Sequence, residues 1–283
     1  MKKYFSLLIF VSACAVTLTA QRPENILTEA SEPGDSSIFM DDIVQRSTIK
    51  DQRVLPYEVL READIPWQKR IWQVIDVREK INLQFVYPKN PLFKILNDAA
   101  TQGLIAAFAD EDFKKILPPI DVESMMVSFD TVAVVDPETY ETTYKPVRNE
   151  ISAESIKFFR IKEIWYFDRE TSRMRVRILG IAPVRERIIA GKAEEQPMYW
   201  LYYPQIREIL AKEQAYNDFN DAAPLSWDDV FEMRRFSSYI FKETNVQDLR
   251  LKDFFPADGI ARLRESDKIK NKLFNFEHDL WEY

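Results

Sequence analysis

The clearest hydrophobic period in this chain is two. Phe159, Ile161, Trp165 and Phe167 recur at every second position, with Glu163 as the one polar break. A turn sequence at Asp168 to Ser172 follows. Met174, Val176 and Ile178 then alternate with Arg173, Arg175 and Arg177. Successive strand side chains point to opposite faces, so this stretch predicts a hairpin with one buried face and one cationic face. Val127 to Val135 and Tyr140 to Val147 flank the turn sequence Asp136-Pro137-Glu138-Thr139 and predict a second hairpin. Met198 to Tyr203 is almost wholly apolar, the pattern of a central strand covered on both faces. Ser237 to Glu243 is a further strand candidate.

Elsewhere the period lengthens to that of a helix. Asp64-Ile65-Pro66 reads as a helix start, after which Trp67, Ile71, Val74 and Ile75 fall on one helical face. The β-branched run from Ile71 to Val77 leaves a strand reading open there. Asn90-Pro91 opens a clearer helix, with Leu92, Ile95, Leu96 and Ala99 on one face and Gly103 as its stop. Pro204 starts another, with Ile206, Ile209 and Leu210 inward and Glu208 and Lys212 outward. Ser226 caps a helix from Trp227 to Arg235, with Asp228 and Asp229 in the first turn where the helix dipole favours acids. From Ser266, the residues Ile269, Leu273, Phe276 and Leu280 share one helical face. Hairpins flanked by helices predict an α+β fold with a mainly antiparallel sheet.

The N-terminus has a pattern of its own. Met1-Lys2-Lys3 precedes an apolar run from Tyr4 to Leu18, and Thr19-Ala20 precedes Gln21. A cationic start, a short apolar stretch and a small residue at the end describe a secretory signal peptide over residues 1–20, cut between Ala20 and Gln21. Val11-Ser12-Ala13-Cys14 also resembles a lipobox, so acylation at Cys14 stays open as the alternative. Residues 21–50 then predict an extended arm. Glu32-Pro33-Gly34-Asp35-Ser36-Ser37 is turn-like, and the apolar Ile38, Phe39, Met40, Ile43 and Val44 are suited to docking on a body or a neighbour. Residues 51–283 make a single α+β domain. No second long apolar run exists, so no direct membrane span is expected.

Composition narrows the chemistry. Lys and Arg number 39 against 46 Asp and Glu, which argues against nonspecific nucleic-acid binding. The single cysteine, Cys14, lies in the leader, and the single histidine, His278, lies near the C-terminus. That inventory leaves no cysteine metal ligand, disulfide or thiol nucleophile in the exported part, and no Gly-x-Ser-x-Gly elbow accompanies the histidine. Five isolated glycines cannot write a phosphate loop. The densest acids, Asp110-Glu111-Asp112 and Asp228-Asp229 with Glu232, raise two functional readings. One is a carboxylate pair of a hydrolase or ligand-binding protein; the other, for the first cluster, is a calcium site, although the ligand ladder and glycine of a calcium loop are missing. The bland reading is solvated or helix-capping acids. No catalytic, cofactor or metal residue is therefore assigned. Arg173, Arg175 and Arg177, with Arg185 and Arg187 beyond, are either an interface for an acidic partner or a solvated strand face. The six tryptophans are core anchors or interface anchors.

Longer strings carry a resemblance. Ile65-Pro66-Trp67-Gln68-Lys69-Arg70-Ile71-Trp72-Gln73-Val74-Ile75-Asp76-Val77-Arg78-Glu79-Lys80, Phe85-Val86-Tyr87-Pro88 and Ala107-Phe108-Ala109-Asp110-Glu111-Asp112-Phe113 are similar to segments of the GldN (PorN) family. So are Ile161-Lys162-Glu163-Ile164-Trp165-Tyr166-Phe167-Asp168, Arg177-Ile178-Leu179-Gly180-Ile181-Ala182-Pro183, Trp200-Leu201-Tyr202-Tyr203-Pro204 and the run from Ser226 to Phe236. The resemblance covers about residues 40–250. It implies a periplasmic, non-enzymatic part of the type IX secretion and gliding-motility machinery, without catalytic residues or cofactors to carry over. It also implies self-association into a ring with the outer-membrane lipoprotein GldK (PorK), reached by the motor pair GldL and GldM (PorL and PorM). Ile38, Phe39 and Ile43 of the arm, and Arg173, Arg175 and Arg177 of the cationic strand, are the candidate contact residues.

Overall fold

The structure, a computed structural model, describes residues 48–135, 142–189, 192–218, 220 and 222–279. The arm residues Ile38, Phe39 and Ile43, the leader and the Asp136 to Thr139 turn lie outside these. Strand β1 (Trp67–Asp76) is followed by helix α1 (Leu92–Thr101), the short strands β2 (Ala107–Phe108) and β3 (Ile116–Leu117), and helix α2 (Pro119–Met125). Strands β4 (Val127–Val135) and β5 (Thr142–Glu150) pair with each other in a separate two-stranded sheet. The long hairpin of β6 (Phe158–Asp168) and β7 (Arg173–Ile189) leads into β8 (Lys192–Pro197) and β9 (Trp200–Tyr202). Then come α3 (Tyr203–Leu210), the paired β10 (Gln214–Ala215) and β11 (Leu225–Ser226), α4 (Trp227–Glu232), β12 (Tyr239–Glu243), α5 (Leu251–Phe254) and α6 (Gly259–Asp279).

The main sheet runs β12-β1-β6-β7-β9-β2-β3, with β8 also on β7, and every pairing is antiparallel. This is the α+β architecture that the alternation predicts. Both hairpins form, the Gly103 stop adopts a left-handed φ of 69°, and Ser226 caps α4. The apolar run from Met198 contributes three strand residues before Tyr203 begins α3, and the C-terminal helix starts at Gly259, ahead of Ser266.

One expectation is overturned: Trp67–Asp76 is a strand, not a helix. A helix would have buried one stripe. As a strand between β6 and β12 the segment buries both faces, with Ile71 and Ile75 on one and Trp72 and Val74 in clusters of their own on the other. Burying Trp72 in addition is worth about 1.5–3 kcal/mol, more than the capping signal at Asp64 to Pro66 supplies.

The largest core lies between the sheet and α1, α3 and α4, where Phe85 and Phe231 pack with Trp227, Phe159, Leu96 and Ile206. A smaller cluster seats α6 on the sheet through Ile269 and Leu273 against Ile71 and Ile240. The β6–β7 register slips at Lys162/Glu163, leaving Leu179 unopposed next to Gly180. A Cβ at Gly180 would stand 2.5 Å from Phe113 Cζ and 3.3 Å from Leu201 O. Phe113 is itself held by Phe108 and Tyr202. Gly180→Ala is therefore expected to cost about 1–3 kcal/mol by overpacking, read as a lower urea midpoint.

Candidate interaction surface and its ion-pair networks

The cationic strand is not open to solvent along its length. Residues 52–58 cross it as a strap with no helix or strand of its own. Glu58 accepts a 3.0 Å ion pair from Arg175, and its carbonyl accepts a hydrogen bond from Arg177 Nη2 at 3.2 Å. Two guanidinium groups lie over the Tyr57 ring, Arg177 at 4.4 Å and Arg207 at 4.2 Å from its centre. Its hydroxyl donates to Glu232 at 2.7 Å. Burial and that hydrogen bond raise the phenol pKa well above its ordinary value, so Tyr57 stays neutral. Of the three predicted arginines, Arg173 is exposed, while Arg175 and Arg177 are half-buried and engaged within the chain.

Beneath the strap lies a buried ion pair that the sequence did not announce. Arg207, on the inner side of α3, meets Asp228 through Nε at 3.0 Å and Nη2 at 3.1 Å. Asp228 also accepts from Tyr203 at 3.0 Å, and Arg207 Nη1 donates to Leu55 O at 2.9 Å. The neighbouring Asp229 forms the capping box with Ser226 and accepts from Gln52. The acids at 228, 229 and 232 thus hold α4, α3 and the strap together.

The other acid cluster is used in the same way. Asp110 accepts from the backbone N–H groups of Lys114 and Lys115, the loop geometry that joins β2 to β3. Glu111 pairs with Lys242 at 3.1 Å and Asp112 with Lys162 at 3.2 Å. Both lysines are buried on the sheet and flank the Trp72 ring, at 4.5 and 5.5 Å. The acids therefore pin the hairpin loop over the sheet. Among the described residues no group of three or more His, Cys, Asp or Glu is placed to hold a metal ion.

Glu163, the break in the β6 alternation, is 0% exposed. Its carboxylate accepts from Gln73 at 2.7 Å, Trp165 Nε1 at 3.1 Å and Arg234 at 2.8 Å. Asp168 closes the β6–β7 turn, its side chain 2% exposed, accepting from Thr171 at 2.6 Å and Glu170 N at 3.0 Å and facing Arg175 at 3.2 Å. The Thr171 bond, then the Glu170 amide and Arg175, hold its carboxyl below the usual 3.8 against the opposing effect of burial. A depressed folded-state pKa contributes stability that is present above the unfolded value and is lost as pH falls through the folded value. Asp168→Asn should therefore flatten the loss of stability below about pH 4, measured by urea unfolding across that range.

A sequence model described as gliding motility associated protein GldN matches residues 60–282. The chain belongs to the GldN family. Its association is with gliding motility and type IX secretion, as the sequence strings implied. No curated protein matches the chain. The family match begins just after the strap and takes in every network described above except its contacts with residues 52–58. Among the described residues, no helix is long and apolar enough to cross a membrane.

Proposed function

We propose that this GldN-family chain is a non-enzymatic structural part of the type IX secretion and gliding-motility machinery. In this reading it is exported by cleavage between Ala20 and Gln21 and works in the periplasm at the inner face of the outer membrane. There it self-associates into a ring with the lipoprotein GldK (PorK), and the periplasmic region of GldM (PorM) contacts that ring from the motor side. Family membership over residues 60–282 carries the reading. The geometry supports it: the two acid clusters raised as catalytic candidates serve as ion-pair and capping partners that tie loops to the sheet and helix to helix. Such networks suit a part whose work is to keep its shape under load.

The arm tests this reading. Deleting residues 21–50 should leave a folded domain that no longer cofractionates with the lipoprotein. Rings formed by the truncated protein would contradict the arm's role. Replacing Asp110 and Asp112 together by alanine should leave secretion intact wherever the variant still assembles. A folded, assembled variant that no longer secretes would restore the carboxylate-pair reading.

A further inference from the structure

Strand β12 ends before β1 does. It pairs with β1 from Ile71 to Val74 and follows it no further than Thr244, whose N–H donates to Arg70 O at 3.1 Å. On its other side β1 pairs with β6 along its whole length, from Trp67 to Asp76. Main-chain polar groups of every second strand residue point the same way. The N–H and C=O of Gln68 therefore face the β12 side, like Arg70 O, and no strand pairs with them there. Helix α6 continues where β12 stops. Phe276 stacks on Trp67 at 4.7 Å between ring centres, and a cavity of about 1070 Å³ lies between β1 and α6. Trp67, Leu273 and Phe276 give it apolar walls, and Gln68 and Arg70 line it as well. From Lys268 to Asp279 α6 flanks it for about 17 Å, the length of about five strand residues. A free strand edge facing a helix across an open groove is the geometry that takes an extended peptide by strand addition.

The charges of the groove are unevenly used. Lys69 pairs with Glu243 at 2.6 Å and Lys268 with Glu265 at 2.8 Å. Asp279 is the remaining acid along the lining. Arg70 and Lys272, both exposed, have no ion-pair partner among the described residues. They lie on opposite sides. Arg70 is three residues from Trp67 and so on the other face of β1, whereas α6, which carries Lys272, packs on the Trp67 face.

We propose that this groove is the receptor of the N-terminal arm, and that residues 39–43 add to it as a strand beside Gln68. The sequence Phe39-Met40-Asp41-Asp42-Ile43 has the matching length and holds no proline or glycine. Adjacent strand residues point to opposite faces, so the two neighbouring acids address the two unpaired cations, one on each side. With Asp41 on the side of Lys272, Phe39 and Ile43 share that side and meet the apolar walls, while Asp42 meets Arg70. Supplied by a neighbouring copy, the segment makes a head-to-tail contact, the kind that closes into rings. The inference rests on the reading of residues 21–50 as a docking arm and names the surface that reading lacks.

Charge exchange read by thiol crosslinking tests it, since Cys14 is the only cysteine and Cys14→Ser leaves none. The full-length chain carries Gln45→Cys, just outside the docking segment, and Asn275→Cys, an exposed position on the groove wall. A short bis-maleimide should join the two cysteines. Asp41→Lys with Asp42→Lys should cut that crosslink at least tenfold, and adding Arg70→Glu with Lys272→Glu should restore most of it. A fold damaged by the substitutions would not be repaired by two more, so the rescue reads the contact itself. No crosslink in protein that sedimentation shows to be assembled would overturn the groove as receptor while leaving the ring reading intact. A yield indifferent to both charge reversals would overturn it too. Crosslinked protein that sediments as single chains would support the groove and contradict the ring reading.

Discussion

Asp228→Ala is expected to lower the unfolding free energy by about 3–5 kcal/mol. Arg207 and Asp228 are each only 8% exposed at the side chain, so the loss leaves a guanidinium buried without its counter-ion. Glu232, at 3.5 Å from Arg207 Nε and partly exposed, recovers only a fraction of that. Tyr203 loses its acceptor as well, and its pKa, raised first by burial, gives it no route to becoming an anion near neutral pH. Urea unfolding followed by tryptophan fluorescence measures the effect. The same physics predicts that Arg207→Met with Asp228→Leu is far less damaging than either half, because removing both charges also removes the cost of burying them. A single mutant within about 1 kcal/mol of the parent would mean that water reaches the pair.

Glu163→Ala should cost about 2–4 kcal/mol, for a different mixture of reasons. Gln73, 2% exposed, and Trp165 lose an acceptor in a dry site, and a cavity opens on the inner face of β6. Arg234 contributes less, since a third of its side chain already meets solvent and can turn outward. Glu163→Gln keeps the volume and one acceptor, so it should recover about half of the loss. The measurement is again the urea midpoint at constant slope, with near-ultraviolet circular dichroism reporting whether Trp165 remains fixed.

These two residues also show where sequence reading succeeds and stops. Period two along Phe159 to Ile178 was sufficient for the long hairpin, because one buried face imposes alternation whatever the rest of the fold does. Glu163 was visible as the one violation of that alternation, yet its partners come from 71 residues further on in the case of Arg234, a distance that local pattern does not encode. Trp67–Asp76 reads first as a helix, with a strand left open by the β-branched Ile71 to Val77, because a strand buried on both faces loses its alternation and imitates a helical stripe. Arg207 carried no signal at all: an arginine on a short amphipathic helix normally faces water, and only the fold brings Asp228 to it. The arginine stripe was legible as a charged face, but the strap that covers part of it was not, since residues 52–58 have neither period nor turn chemistry. The absorption of the acid clusters into ion pairs likewise needed the folded chain, because Glu111 and Lys242 lie 131 positions apart.

The proposed function makes this chain a structural ring part and not an enzyme of the periplasm. Electron microscopy of complexes purified from outer membranes through a tag on this chain tests it most directly. The account predicts closed rings that contain both this protein and the GldK-type lipoprotein. Particles the size of a single chain, recovered without the lipoprotein from cells that secrete and glide normally, would contradict it.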